Sequence, residues 1–308
     1  MFSVIFPGQG SQSVGMGKDF YDRFDLVKNL FKEADETLGI PLSKIVLEGP
    51  KDELDKTSNT QPAIFLVSYS IFNVVKKEFN IDLDKGKYFA GHSLGEYSAL
   101  SSAGYLNFAD TIKILRSRGE AMQNSIKEGN GGMMAILGIV VKEVEKILKE
   151  HQNEFNVEIA NDNSEGQVVI SGKNSDLSKL TEVLKSKKIK NIRLPVSAPF
   201  HCSLMNKATE VMKKEINNKN FNNVSKKLIS NVTAEEISNV DDLKKLLIKQ
   251  IESRVRWRES VINMIKKDIN HFIEIGPGKV LSGLIKRINK DVKINSINSE
   301  IDIKDLNI

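Results

Sequence analysis

The chain has 308 residues, 40% of them hydrophobic, 28% charged and 6% aromatic, with 45 Lys+Arg against 40 Asp+Glu and a net charge of +5. This length suits two compact domains, or one large α/β domain with an addition, and the apolar share excludes a disordered or fibrous chain. Both charge signs are interspersed, so the bias is no nucleic-acid footprint, though it favours encounter with an acidic partner; one cysteine excludes a disulfide framework and a thiolate-rich metal site.

In chain order, FSVIF at 2–6 reads as a strand, without the basic n-region and long apolar core of a secretory signal. Helices follow near 20–38 and 61–79, the second with Pro62 at a first helical position behind Thr60 or Gln61. Even its most apolar part, Ile64 to Val75, contains Ser68, Tyr69, Ser70 and Asn73, which rules out a membrane span of about 18 apolar residues. A strand at 87–90 and helices near 94–103 and 108–126 come next. The rhythm then changes. Gly129 to Gly132 reads as a hinge, followed by MMAILGI (133–139), a helix at 141–151, VEIAN (157–161), QVVIS (167–171), a helix at 174–187 and IKNIRLPV (189–196). That β-α-β-β-α-β order is the ferredoxin-like unit. With the hinge ahead of it and Pro195 near its end, an inserted small domain is expected at 128–197, splitting the large domain into 1–127 and 198–308. Beyond it lie helices near 203–217, 241–252, 258–267 and 278–289 and strands at 227–230, 271–275 and 292–297. Strands separated by helices imply an α/β fold with a parallel sheet covered on both faces, and a soluble cytoplasmic protein is expected.

The chemistry begins at Gly91-His92-Ser93-Leu94-Gly95, a GxSxG that follows a strand and opens a helix near Glu96. That context presents a serine hydroxyl on a strained strand-to-helix turn, close to N–H groups able to stabilise an oxyanion. Such a serine needs a base. His92 adjoins it but points away from its reacting face, His151 ends a charged helix, and His271 begins an apolar strand. His201, in SAPFH at 197–201 in a loop before a helix, is the candidate that elimination leaves, although the residues alone do not decide it. Cys202 beside it reads as a buried spectator. The glycine-flanked loop after the first strand fails the Walker pattern, because Asp19 follows Gly17-Lys18, and fails a dinucleotide fingerprint, because Ser13 stands at the third glycine.

Several motifs in register carry a resemblance. FPGQGSQ at 6–12, GHSLGEYSAL at 91–100, Arg118-Gly119, NSEGQVVISG at 163–172, LPVSAPFH at 194–201, Asn231 in ISNVTA and IGPGKVLSGL at 275–284 together resemble malonyl-CoA:acyl carrier protein transacylases of bacterial type II fatty acid synthesis. The resemblance covers essentially the whole chain and implies an α/β-hydrolase-like core with an inserted ferredoxin-like domain. It implies Ser93 as nucleophile, His201 as general base, and the N–H groups of Gln9 and Leu94 as the oxyanion hole. No Asp or Glu falls where an acid should orient the histidine; the resemblance gives that role to the main-chain carbonyl of Gln250. Arg118 is implied as the partner of the malonyl carboxylate, a match of guanidinium to carboxylate through paired hydrogen bonds. Helical periodicity alone does not choose between Arg116 and Arg118. Phe200, larger than the residue often found before this histidine, is expected to line the acyl pocket; Asn163 and Gln167 either meet the pantetheine or cleft, or satisfy local backbone. The implied reaction is a ping-pong transfer from malonyl-CoA to acyl carrier protein without metal or other cofactor, by a protein that is by default a monomer and binds neither nucleic acid nor membrane. A serine hydrolase would share the nucleophile, with water as acceptor, and a non-catalytic scaffold would bind the carrier alone.

Overall fold

The structure is a computed structural model that describes residues 1–196, 198–306 and 308; Ser197, where the expected small domain ends, lies outside the described residues. Among the described residues nine strands form two sheets. β1 (Phe2–Phe6), β2 (Tyr88–Gly91), β7 (Lys227–Leu228), β8 (His271–Ile275) and β9 (Lys293–Ile297) make a parallel sheet in the order β7-β2-β1-β8-β9. β3 (Gly131–Leu137), β4 (Val157–Ser164), β5 (Gln167–Lys173) and β6 (Lys190–Arg193) make an antiparallel sheet in the order β4-β5-β3-β6.

Alternation along the strands explains how both sheets are buried. In β1, Val4 and Phe6 face one cluster, with Phe65, Leu94 and Tyr97, while Ile5 faces another, with Trp257 and Phe272. In β3, Met134 and Ile136 pack under the helices Val141–Glu150 and Asn174–Ser186, against Val144, Leu177 and Leu180. The intervening Met133 and Ala135 face the opposite way, into a cavity between the two sheets. Chain direction along the parallel sheet reverses at β1, from which the path runs to β2 and β7 on one side before returning to β8 and β9 on the other. Crevices at such reversals, beyond the carboxyl ends of the strands, are where α/β sheets take ligands.

Several elements depart from sequence expectation. The second long helix begins at Thr57, so Pro62 lies inside it, not at its first position. The carbonyl that the missing Pro62 N–H would have served, that of Ser58, accepts from Arg116 Nη1 at 3.3 Å instead. The expected helix 20–38 is two, Lys18–Arg23 and Asp25–Leu38, because Phe24 is extended with its ring against Phe20 and Phe79. Short helices Leu42–Glu48 and Lys51–Asp55 were not expected. Gly131 and Gly132 are not hinge but the start of β3, paired with Lys173 and Gly172; a Cβ there would meet Pro199 Cδ and Asn174 Oδ1 at 2.7 and 2.8 Å. β3 accordingly ends at Leu137, and β6 covers only Lys190–Arg193. β4 continues to Ser164 through Asn161, Asp162, Asn163 and Ser164, all buried, because Ala160 and Asp162 exchange main-chain hydrogen bonds with Val255 at 2.8 and 3.0 Å. The strand expected at 227–230 is reduced to Lys227–Leu228, and a 3₁₀ turn, Ser203–Met205, precedes the helix Asn206–Asn217.

Candidate active site

The sheet reversal is lined by the loops after β1 and β2, and there the chain turns sharply at Ser93. Ser93, between β2 and the helix Leu94–Ser102, has φ 56° and ψ −111°, a conformation that costs a non-glycine residue about 1–3 kcal/mol. Its neighbours must be glycine: a Cβ on Gly91 would lie 2.0 Å from the Gly95 carbonyl, and one on Gly95 would lie 2.3 Å from Phe6 O in β1. Gly8, in the loop after β1, would meet His92 O at 2.5 Å. Bare backbone at these three positions lets strand, helix and loop converge on one hydroxyl.

That hydroxyl is 2.7 Å from His201 Nε2. His201 Nδ1–H donates to the main-chain oxygen of Gln250 at 2.9 Å, which fixes the tautomer and leaves Nε2 free to accept the Ser93 proton. Burial first, then the nearby Arg118 cation, pushes His201 down to about 3, so the imidazole is neutral at ordinary pH, with its Nε2 lone pair unprotonated. No carboxylate of the described residues touches this imidazole.

Arg118 comes from the helix Phe108–Gln123 and is 1% exposed. Its Nη1 donates to Gln61 Oε1 at 2.7 Å, and its Nη2 donates to Gln250 Oε1 at 2.8 Å and to Ser93 Oγ at 3.1 Å. Its guanidinium also stands 5.5 Å from the centre of the Tyr97 ring. Among the described residues no carboxylate pairs with it, an expensive condition for a buried cation. Arg116 points elsewhere, to Glu120 and Asn59 at 2.5 Å each. Gly119 explains the close approach that buries Arg118: a Cβ there would lie 2.5 Å from Thr57 O, at the start of the helix that brings Gln61.

Gln9, Phe200, Asn163 and Gln167 line the same cavity of about 440 Å³ as Ser93, His201 and Arg118. The N–H groups of Gln9 and Leu94 donate to no protein acceptor among the described residues. Asn163 Oδ1 accepts from His92 Nε2–H at 2.8 Å, which turns the His92 ring away from Ser93, and Gln167 Oε1 accepts from Arg287 at 2.7 Å. Cys202 is buried, its thiol pushed up to about 12 and donating to Pro199 O, and takes no part. His151 pairs with Glu154, and His271 bonds Asn295, both outside the cavity.

Three groups were not picked out from sequence: Gln61 on Arg118, Asn231, and Glu96. Asn231 Oδ1 accepts from Ser93 N–H at 2.7 Å while its Nδ2 donates to Gly91 O at 2.7 Å, clamping the turn across the serine. Glu96 Oε2 accepts from the Gln250 side chain at 2.6 Å, and burial raises its carboxyl to about 7. Asn231 and Glu96 stand in motifs but without a role, and nothing in the local pattern marks Gln61.

A serine with its base already in contact, beside a buried cation that pairs with no carboxylate among the described residues, marks a serine-acyl enzyme on an α/β frame. Comparison with known proteins agrees. A family model described as acyl transferase domain matches residues 3–301. The malonyl CoA-acyl carrier protein transacylase of Bacillus subtilis (strain 168) is 42% identical over 293 residues, 94% of this chain and 91% of that protein. The crystal structure of an acyl-carrier-protein-S-malonyltransferase from Bartonella henselae superposes with a TM-score of 0.95 at 41% identity, covering 99% of this chain and 97% of that one. A malonyl-transacylase solved in complex with its type II PKS acyl-carrier protein gives 0.94 at 34% identity, covering 98% and 97%. The chain belongs to the malonyl CoA-acyl carrier protein transacylases of the acyl transferase domain family.

Proposed function

We infer that this protein transfers the malonyl group of malonyl-CoA to the phosphopantetheine thiol of acyl carrier protein, supplying fatty acid synthesis. The observation that carries this reading is Arg118: a buried guanidinium without a carboxylate partner among the described residues, hydrogen-bonded to the nucleophile itself. A malonyl thioester attacked by Ser93 brings a carboxylate to that neighbourhood, and two parallel charge-assisted hydrogen bonds would satisfy the cation.

In the reading, His201 Nε2 takes the Ser93 proton as Oγ bonds to the thioester carbonyl carbon. The N–H groups of Gln9 and Leu94 hold the oxyanion, and their lack of protein acceptors supports that role. The C–S bond then breaks, the CoA sulfur leaves with the proton from His201, and malonyl remains esterified to Ser93. The carrier thiol, giving its proton to His201, attacks this ester; Ser93 departs and regains the proton. Gln250 O steadies the imidazolium at each stage, less strongly than a carboxylate would. Phe200 bounds the acyl pocket, and Asn163 and Gln167 border the pantetheine path. These steps need no metal or redox cofactor. The frame is read as a hydrolase-like core, 1–127 and 198–308, with a ferredoxin-like insertion at 128–197, supported by the elbow after β2 and the order β4-β5-β3-β6. The protein is taken as a monomer of the cytoplasm, and light scattering checks the first point.

Intact-mass measurement tests the covalent step. Malonyl-CoA should add one persistent malonyl, absent in Ser93→Ala; rapid turnover by water without carrier would favour a hydrolase. Arg118→Ala should lower malonyl transfer by about 10²–10³, from the loss of ~3–5 kcal/mol for one partner of a buried ion pair, with acetyl transfer retained. Equal loss for both acyl groups removes Arg118 from specificity.

A further inference from the structure

Glu96 is a buried carboxylate, 1% exposed, in the first turn of the elbow helix, and the reaction as written leaves it unused. It pairs with no cation among the described residues. Oε2 accepts from Gln250 Nε2 at 2.6 Å and from the Asn231 N–H at 3.3 Å, while Oε1 has no partner. The amide it meets faces two ways: Gln250 Oε1 accepts from Arg118 Nη2 at 2.8 Å, and Nε2 also reaches Ser93 O at 3.1 Å. An amide turned over would aim its NH₂ at the guanidinium and its oxygen at the carboxylate, losing both contacts at once. A carboxylate only accepts and a guanidinium only donates, so between them the amide has one permitted direction.

We propose that Glu96 is a positioning residue: by accepting from the Gln250 amide it sets that amide's direction, and so holds the Arg118 guanidinium where the far carboxylate of the acyl substrate docks. This rests on the reading of Arg118 given above. The free Oε1 makes the device tolerant of protonation, since a hydrogen carried there leaves Oε2 accepting. Sequence gave no hint of it, because the relay passes through a glutamine whose main chain serves His201 and whose side chain serves Arg118.

The test compares kcat/KM for malonyl-CoA and for acetyl-CoA in variants of the full chain. Glu96→Ala should lower the malonyl-to-acetyl ratio by about tenfold or more. Glu96→Gln, which can keep an accepting oxygen toward Gln250 and place its NH₂ at the unpartnered position, should hold the ratio within about threefold. Gln250→Met keeps the main-chain carbonyl on His201 and should reproduce the Glu96→Ala ratio, with no further fall in the double variant. If Glu96→Ala does not fold, Glu96→Met, similar in volume but without an acceptor, is read in its place. An unchanged ratio, or equal losses for the two acyl groups as a merely structural role would give, overturns the proposal. Arg118→Ala separates the two readings. If its ratio stays at the unsubstituted value, the Arg118 reading itself fails; if it collapses while Glu96→Ala does not, only the positioning role fails.

Discussion

Two buried ionisable side chains in the site pull the pH dependence of stability in opposite directions. His201 falls from 6.5 to about 3 on folding, so between those values the unfolded chain binds a proton that the folded one does not. Its stabilising contribution is present above 6.5 and is lost as pH falls toward 3. Glu96 rises from 4.5 to about 7, and its contribution is present below 4.5 and lost as pH rises through about 7. Between pH 4.5 and 6.5 the two slopes offset. Glu96→Gln removes one of them, so urea midpoints across that window should climb more steeply with pH in the variant; a parallel displacement at every pH would reject the assignment. At this scale the sequence was informative where a motif also carries a known chemistry, as at Ser93, His201 and Arg118, but not for Glu96 or Asn231, whose motifs give them no role. It was silent where function passes through ordinary polar residues. Gln61 and Glu96 are polar positions within helices, and their complete burial is decided by which helices later close over them.

The elbow is the element most tightly specified by its residues. Since a Cβ on Gly91 would lie 2.0 Å from the main chain of Gly95, no rotamer change relieves it, and Gly91→Ala should cost about 4 kcal/mol or more in denaturant unfolding. Gly283, inside the helix Val280–Ile288 with nothing within 4 Å, is the contrasting case: Gly283→Ala should stabilise by about 0.5–1 kcal/mol. Equal effects at the two sites would mean that contact, not helix propensity, was misjudged. The sequence shows both glycines but cannot rank them, because the atoms that forbid a side chain belong to other segments. The same limit explains Pro62 and Gly131. Proline ordinarily opens a helix and paired glycines ordinarily loosen a chain, yet Arg116 serves the vacated carbonyl near Pro62, and Pro199 and Asn174 crowd the glycine pair into a strand.

Across the whole molecule, the antiparallel sheet is tied beside the cavity to the segment that opens the helix Trp257–Lys266. Asp162 on β4, its side chain 1% exposed, accepts from Arg258 Nε at 3.0 Å and Nη2 at 2.8 Å, next to the main-chain exchange with Val255. Arg258→Ala would leave that carboxylate buried and unpaired, and should lower stability by about 3 kcal/mol by denaturant titration. A loss under about 0.5 kcal/mol would show that the main-chain exchange alone holds β4 to that segment. The change from long α/β spacing to short antiparallel spacing made the second sheet readable in outline from sequence. Its tether was not readable, because Asn161 to Ser164 are polar and look like a loop until Val255 pairs beside them.

The resting contact between Arg118 and the Ser93 oxygen has a consequence for the nucleophile's electrons. A hydroxyl oxygen has two lone pairs, and here one already points at the guanidinium while the hydrogen is engaged by the imidazole. The second lone pair stays free to attack, and an incoming acid group that draws the guanidinium to itself would return the first, leaving a more electron-rich oxygen.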